Sequence, residues 1–300
     1  MFKNITAVLL ASACLFAAGC SFSKPGDNFD ESSYSVPLAA DAAPKFSRIK
    51  LDVKGTIIAR DGANLCKEPS MFSEQIAVLE DHTEVQVISA ADAFQSEIRE
   101  DGTWLYVSAN GKKGYVYARY VDISLTAQAS EYTNAQWFVL GAILYQQYMT
   151  DSAHIRKPRA LDIDFDREQV GREQEDGSFK YYYHLYKPEN LTMDQLSEAY
   201  YNEYAKKYYD GTFEDYYVTE YQKVYGWQGA DNGMWTERLA VESLDSVTDT
   251  EIFYTTREYY SQVMQSELPI YEEHVFSLVF EDGRWKCGQL GDISEPVTTE

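Results

Sequence analysis

Histidine, cysteine and long apolar runs are scarce in this 300-residue chain, and each scarcity excludes something. The four histidines, His82, His154, His184 and His274, stand singly without HxH or HExxH spacing, which argues against a zinc hydrolase. Of the four cysteines, Cys14 and Cys20 lie near the N-terminus, Cys66 falls in a strand-like run, and Cys287 has no histidine after it. A thiol peptidase needs a thiolate at a helix start and a downstream histidine, so neither inner cysteine fits. There is no G-x-S-x-G elbow and no phosphate-binding glycine loop. The best apolar run after the N-terminus, Trp137 to Tyr145, ends at Gln146 and Gln147. That is too short to span a bilayer, which takes about 20 residues in helical form. Positive charge is scarce too: 26 Lys and Arg against 48 Asp and Glu leave a net charge of −22. Such a surface repels nucleic acid phosphates and anionic lipid heads. No catalytic residue, metal site, cofactor or nucleic acid partner is expected.

What is present begins with a leader. Lys3 supplies a short positive region, Ile5 to Phe16 is nearly uncharged and apolar, and Ala17-Ala18-Gly19 offers the small residues a signal peptidase needs. The run Leu15-Phe16-Ala17-Ala18-Gly19-Cys20 resembles a lipobox, with Ala17 where leucine is commonest. The resemblance implies a signal peptide over 1–19, cleavage before Cys20, and acyl chains such as palmitate on that cysteine. Two or more chains give stable anchoring at about 0.8 kcal/mol per buried methylene. The lipid would be the chain's one membrane attachment. Ser21, in place of Asp, favours the periplasmic face of the outer membrane if the organism has two membranes. With Cys14 removed and Cys20 lipidated, Cys66 and Cys287 remain. They are either a disulfide between two folded parts or two small buried thiols.

Residues 20–48 read as the lipidated cysteine and a flexible tether, rich in Ser, Asp, Ala and Gly, with Pro25, Pro37 and Pro44. Residues 49–125 then carry short strand signals: 51–59, 76–80, 85–90, 104–108 and 113–117. The last two are joined by Asn110-Gly111, a strong hairpin signal. Five brief strands without a credible helix predict a small all-β barrel. Ala63-Asn64-Leu65-Cys66-Lys67-Glu68-Pro69-Ser70 is similar to the opening motif of bacterial SH3 domains. The run from Trp104 to Val121, with Gly111, Gly114-Tyr115-Val116 and Tyr120, resembles their closing motif. Cys66 and Glu68 depart from the usual Arg and Gly, and residues 89–103 lengthen one loop. The resemblance implies a module that binds peptidoglycan or another envelope partner rather than one that does chemistry. Trp104, Tyr106, Tyr115 and Tyr117 are the candidate ligand-binding residues. Alternation places Tyr115 and Tyr117 on one face of a strand, while Trp104 and Tyr115 could equally be core.

Residues 131–293 have the texture of an α+β domain, followed by a tail over 294–300. Trp137 to Tyr148 is apolar nearly all round, as in a buried helix. Strands are predicted at 161–166 and 179–186. Thr192 with Gln195 makes a capping-box signature. Met193, Leu196, Tyr200, Tyr204 and Tyr208 trace a helical stripe, and a second helix is predicted over 214–225. Strands follow at 235–243, 251–259, 271–280 and 285–290, the last two joined by Asp282-Gly283. The ending from Phe276 to Cys287 resembles the final hairpin of NTF2-like envelope domains. That resemblance implies helices packed on an antiparallel sheet.

Two further patterns bear on chemistry. Asp162-Ile163-Asp164-Phe165-Asp166 begins like a calcium loop, with Glu173 at the twelfth position, but Arg167 sits where the turn needs glycine. The alternation of Ile163 and Phe165 with the acids points to a half-buried strand instead. Tyrosine is abundant, 25 residues, 16 of them between 181 and 260. Such rings can form a glycan or peptide platform, although those on the helical stripe read as core. The sequence thus predicts a non-catalytic envelope lipoprotein with an SH3-like binding module and an α+β scaffold. The alternatives are a cell-wall hydrolase, or its regulator, using a carboxylate pair, and an assembly partner of an envelope machine.

Overall fold

The computed structural model describes residues 38–39, 45–92, 103–152, 158–161, 163–227, 236–260 and 270–292. The leader, Cys20, most of the tether, His154, Asp162 and the tail lie outside the described residues. After a two-residue strand β1 (Leu38–Ala39) come seven short strands: β2 (Val53–Ile57), β3 (Ala63–Cys66), β4 (Gln75–Leu79), β5 (Glu84–Ala90), β6 (Trp104–Ala109), β7 (Lys112–Tyr117) and β8 (Val121–Ser124). They form one sheet in the order β4-β3-β7-β6-β5-β2-β8. The two strands beyond the predicted five are β3 and β8, four residues each, too short for alternation to stand out. Asn110 and Gly111 hold φ of 50° and 75°. This left-handed pair is what a two-residue hairpin needs to match the twist of its strands.

The helix α1 (Asn134–Ser152) lies between the barrel and a second sheet, which explains an apolar surface nearly all round. On one side Gln147 Nε2 donates to the carbonyls of Ala118 (2.6 Å) and Val121 (3.0 Å), and Gln136 Nε2 donates to Lys50 O (2.7 Å). On the other, Tyr145 packs against Phe276, ring centroids 5.4 Å apart, and Tyr254 donates to Trp137 O at 2.9 Å. Gly141 lets the Tyr254 ring approach: a Cβ there would lie 2.3 Å from the ring. Among the described residues, no helix is long and apolar enough to cross a membrane.

The rest of the chain contributes β9 (Asp164–Glu173), β10 (Phe179–Lys187), α2 (Met193–Glu203), α3 (Lys206–Tyr209), α4 (Phe213–Tyr216), β11 (Tyr217–Glu220) and β12 (Lys223–Trp227). Then follow β13 (Thr236–Val247), β14 (Glu251–Tyr260), β15 (Ile270–Glu281) and β16 (Arg284–Asp292). The five-stranded sheet runs β1-β13-β14-β15-β16, and a separate four-stranded sheet runs β11-β12-β10-β9. Asp282 and Gly283 turn β15 into β16 with φ of 54° and 77°. The capping box is formed: Thr192 Oγ1 accepts from Gln195 N (3.2 Å), and Gln195 Oε1 accepts from Thr192 N (3.0 Å).

Three expectations need correction. The α+β balance is tilted toward sheet, since α3 and α4 have only four residues each. The tyrosine stripe is not one helix. Tyr204 leaves α2 to bridge Cys287, and Ala205 N donates to Cys287 O at 2.8 Å, so pairing with β16 overrides helical continuity. Finally, 214–225 is not a helix. After α4 it is the hairpin β11–β12, whose turn, Tyr221-Gln222, holds φ of 50° and 63° without a glycine.

Most of the buried hydrophobics form one continuous cluster from Ile49 to Leu290, shared by barrel, α1 and C-terminal sheets. The segment between barrel and helix is fastened rather than free. Trp285 N donates to Leu125 O (2.8 Å), its indole Nε1 donates to Ala127 O (3.0 Å), and Trp137 Nε1 donates to Ala129 O (3.0 Å). Everything described belongs to one compact unit, residues 31–300.

Candidate binding face

Alternation along β6 sends Leu105, Val107 and Ala109 into the barrel core and Trp104, Tyr106 and Ser108 to its outer side. On β7, Val116 points inward while Tyr115 and Tyr117 share the outer side with them. The ladder sets Trp104 opposite Tyr117 and Tyr106 opposite Tyr115. Their ring centroids are 5.6 Å and 5.0 Å apart, the reach at which cross-strand aromatic pairs attract. Tyr120 continues the row edge-on to Tyr117 at 5.9 Å. All four sequence candidates therefore meet on one face, outside the barrel's main core.

Their exposures differ. Trp104 is 3% exposed, packed with Cys66 and Ala91 in a small cluster of its own. Its indole Nε1 is buried without a hydrogen-bond partner among the described residues. Tyr106, Tyr115 and Tyr117 are half-buried; Tyr115 and Tyr117 lie over that cluster and Tyr106 packs on Tyr115, so Trp104 is the floor of the face and the tyrosines are its surface. Burial pushes the Tyr115 phenol above its ordinary range, with Tyr106 and Asp92 adding to the effect. The Tyr115 phenol therefore stays a protonated donor at neutral pH. Such a face can stack flat apolar groups and donate hydrogen bonds at its rim.

Cys66 and Cys287 are two buried thiols, not a disulfide. Cys66 packs beside Trp104 in the barrel, and burial raises its thiol pKa, which suits packing rather than nucleophilic attack. Cys287 sits in β16, its Sγ 4.0 Å from the Tyr209 hydroxyl. Of the calcium-like string, Asp162 lies outside the described residues and Ile163 precedes the strand, which starts at Asp164 and runs to Glu173 rather than spanning the predicted 161–166. In β9, Asp164 pairs with Lys187 Nζ at 2.8 Å, and Asp166 lies 2.8 Å from His184 Nδ1. Glu168 completes a three-ligand group with Asp166 and His184, yet it already accepts from Lys223 Nζ and the Tyr225 hydroxyl, each at 2.6 Å. Part of the tyrosine excess is core, including Tyr200, Tyr204, Tyr209, Tyr217 and Tyr225.

A cleft of about 530 Å³ opens beside Tyr120, where two barrel turns face the entry to β9 and the end of β10. Its acids are Asp61 and Asp81. The carboxyl raised to about 7 is elsewhere: Glu203, buried beneath Ala160 and not part of the cleft wall. A glycosidase-type pair, with a raised acid facing a second carboxylate across a cleft, is thus not assembled by the described residues of this cleft.

Sequence reasoning missed the cleft, because its walls come from five separated segments. It also left open which side of the barrel the aromatics occupy. No curated protein matches the chain. Residues 61–122 match the family model of the bacterial SH3 domain, so the barrel that carries this aromatic face is a bacterial SH3 domain.

Proposed function

We propose that this chain is a lipid-anchored envelope protein whose SH3 domain holds peptidoglycan or an envelope protein through Tyr106, Tyr115 and Tyr117. Bacterial SH3 domains commonly bind peptidoglycan or proteins. The observation that carries the reading is the half-exposed tyrosine surface laid over Trp104 on the outer side of such a domain. Support for the anchor is the lipobox-like run ending at Cys20. The remaining sheets act as a scaffold. Their five-stranded sheet crossed by α1 resembles an NTF2-like arrangement, from which the four-stranded β9–β12 sheet departs.

The test is co-sedimentation of residues 21–300 with purified sacculi, beside a Tyr106→Ala, Tyr115→Ala variant checked for folding. Saturable binding weakened about tenfold in the variant is expected, since an aromatic contact contributes roughly 0.5–1.5 kcal/mol. Equal binding by both proteins would remove the face from the mechanism, and no sedimentation would remove peptidoglycan as the ligand. Release of soluble muropeptides would favour the hydrolase alternative. In cells, Cys20→Ala should move the protein out of the membrane fraction. Retention there would rule out the lipid anchor.

A further inference from the structure

Strands β9 and β10 fall out of step at one place. Tyr183 pairs with Gln169 and Leu185 with Phe165, so Asp166, Arg167 and Glu168 stand against the single residue His184. A bulge of this kind re-aims side chains, and here two carboxylates converge on one imidazole. His184 Nδ1 is 2.8 Å from Asp166 Oδ2 and 4.0 Å from Glu168 Oε2. One donor atom from each of the three residues lies within 4.8 Å of the other two.

Each carboxylate is held by its other oxygen. Asp166 Oδ1 accepts from the backbone N of Glu168 at 2.8 Å, and Glu168 Oε1 accepts from the Tyr225 hydroxyl at 2.6 Å. Tyr225 stands opposite His184 in the ladder with β12, their rings 5.5 Å apart, which fixes the imidazole as well. His184 is half-buried, while the two acids are open to solvent. Among the described residues, Lys223 is the Lys or Arg that pairs with this group: its Nζ donates to Glu168 Oε2 at 2.6 Å, from an exposed position at the start of β12.

We propose that Asp166, Glu168 and His184 bind a divalent transition ion of the zinc type, and that the Lys223 ammonium is the built-in cation this ion displaces. Bonds of about 2.0–2.2 Å set the donors of one zinc ion roughly 3–3.5 Å apart, a spacing that the distances of 2.8 Å and 4.0 Å bracket. Two carboxylates balance the charge of a divalent ion once Lys223 turns away. A ring nitrogen in the set selects zinc over calcium or magnesium, which take oxygen donors. The imidazole presents Nδ1 unprotonated, so any proton it shares with Asp166 leaves to solvent as the ion enters. Lys223 is long, flexible and already at the surface, so its ammonium returns readily to water. Tyr225 keeps its bond to Glu168 and acts as a positioning residue. The site lies on the four-stranded sheet and does not depend on the tyrosine face of the SH3 domain.

Titration calorimetry of metal-free residues 21–300 with zinc, calcium and magnesium chlorides tests the assignment. Zinc is expected to bind at one equivalent, with calcium and magnesium at least about tenfold weaker. Asp166→Asn, nearly isosteric and exposed, should keep the fold and weaken zinc about a hundredfold, since even residues outside the ligand set cost 10–100-fold. His184→Ala, checked for folding, should do the same. Lys223→Gln removes the competing cation and should tighten zinc severalfold, which a merely structural role for the cluster would not produce. Absence of zinc binding, zinc affinity unchanged by Asp166→Asn, equal affinity for calcium, or weaker binding in Lys223→Gln would each overturn the assignment.

Discussion

Trp285→Ala is expected to cost about 3–5 kcal/mol and to lower the melting of barrel and C-terminal sheet together. Trp285 is 5% exposed, packs on Trp137 at 5.0 Å and Phe280 at 5.2 Å, and holds the backbone at Leu125 and Ala127. Removing the side chain opens a cavity and takes the indole donor from Ala127 O in the segment that joins the SH3 domain to α1, while the backbone bond to Leu125 O stays. Because the buried cluster runs without a break through both parts, the parent protein should unfold in one calorimetric transition. Trp285→Phe keeps most of the packing but loses the indole bond to Ala127 O, and should cost about 1 kcal/mol from that bond. Two separate transitions in the parent, with only the second moved by Trp285→Ala, would refute the shared core.

Raising the pH from 5 to 8 is expected to weaken the parent protein but to leave Glu203→Gln less affected. Burial is the largest influence on Glu203 and pushes its carboxyl up to about 7 from its ordinary 4.5, against the opposing pull of Arg159 and of the Ala160 backbone. The native state therefore keeps a proton that the unfolded chain releases between these values. The stabilisation is fully present below about pH 4.5 and is lost as the pH rises through about 7, on the order of 3 kcal/mol in all. Glutamine imitates the protonated acid and retains an oxygen for Ala160 N, which now donates to Glu203 Oε1 at 2.9 Å. Urea unfolding of both proteins at pH 5 and pH 8 isolates this group from the chain's many other carboxylates. Parallel pH profiles would show that Glu203 is already charged in the native state.

The legible parts of the fold were those written in local chemistry. Asn110-Gly111 and Asp282-Gly283 mark their hairpins because glycine tolerates the left-handed backbone both turns require. The Thr192–Gln195 box marks its helix because the reciprocal bonds need only those two side chains. The hairpin at Tyr221-Gln222 was illegible for the converse reason: two ordinary residues are held at positive φ by the pairing of their strands. The end of α2 was hidden likewise, since Tyr204 is drawn off by β16, more than 80 residues along the chain. Alternation showed that Tyr115 and Tyr117 share a face, but a period of two cannot say which face looks inward. The cations of the cleft carried no signal at all, because only tertiary packing brings Arg60, Arg159 and Lys187 to one place.

The edge strand β4 has a consequence for handling the protein in concentrated solution. It closes one side of the barrel sheet, with no further strand beside it among the described residues. Ile76 and Val78 on it, and Met71 and Phe72 just before it, are exposed, Phe72 at 89%. An open strand edge with apolar side chains is a template for a second copy to extend the sheet. Lys67, Glu68, Glu74 and Glu80 flank this edge and mutual repulsion between such acidic molecules opposes the contact. High salt screens that repulsion without covering the edge, so crowding at high ionic strength is the condition in which filaments or precipitate would start from β4.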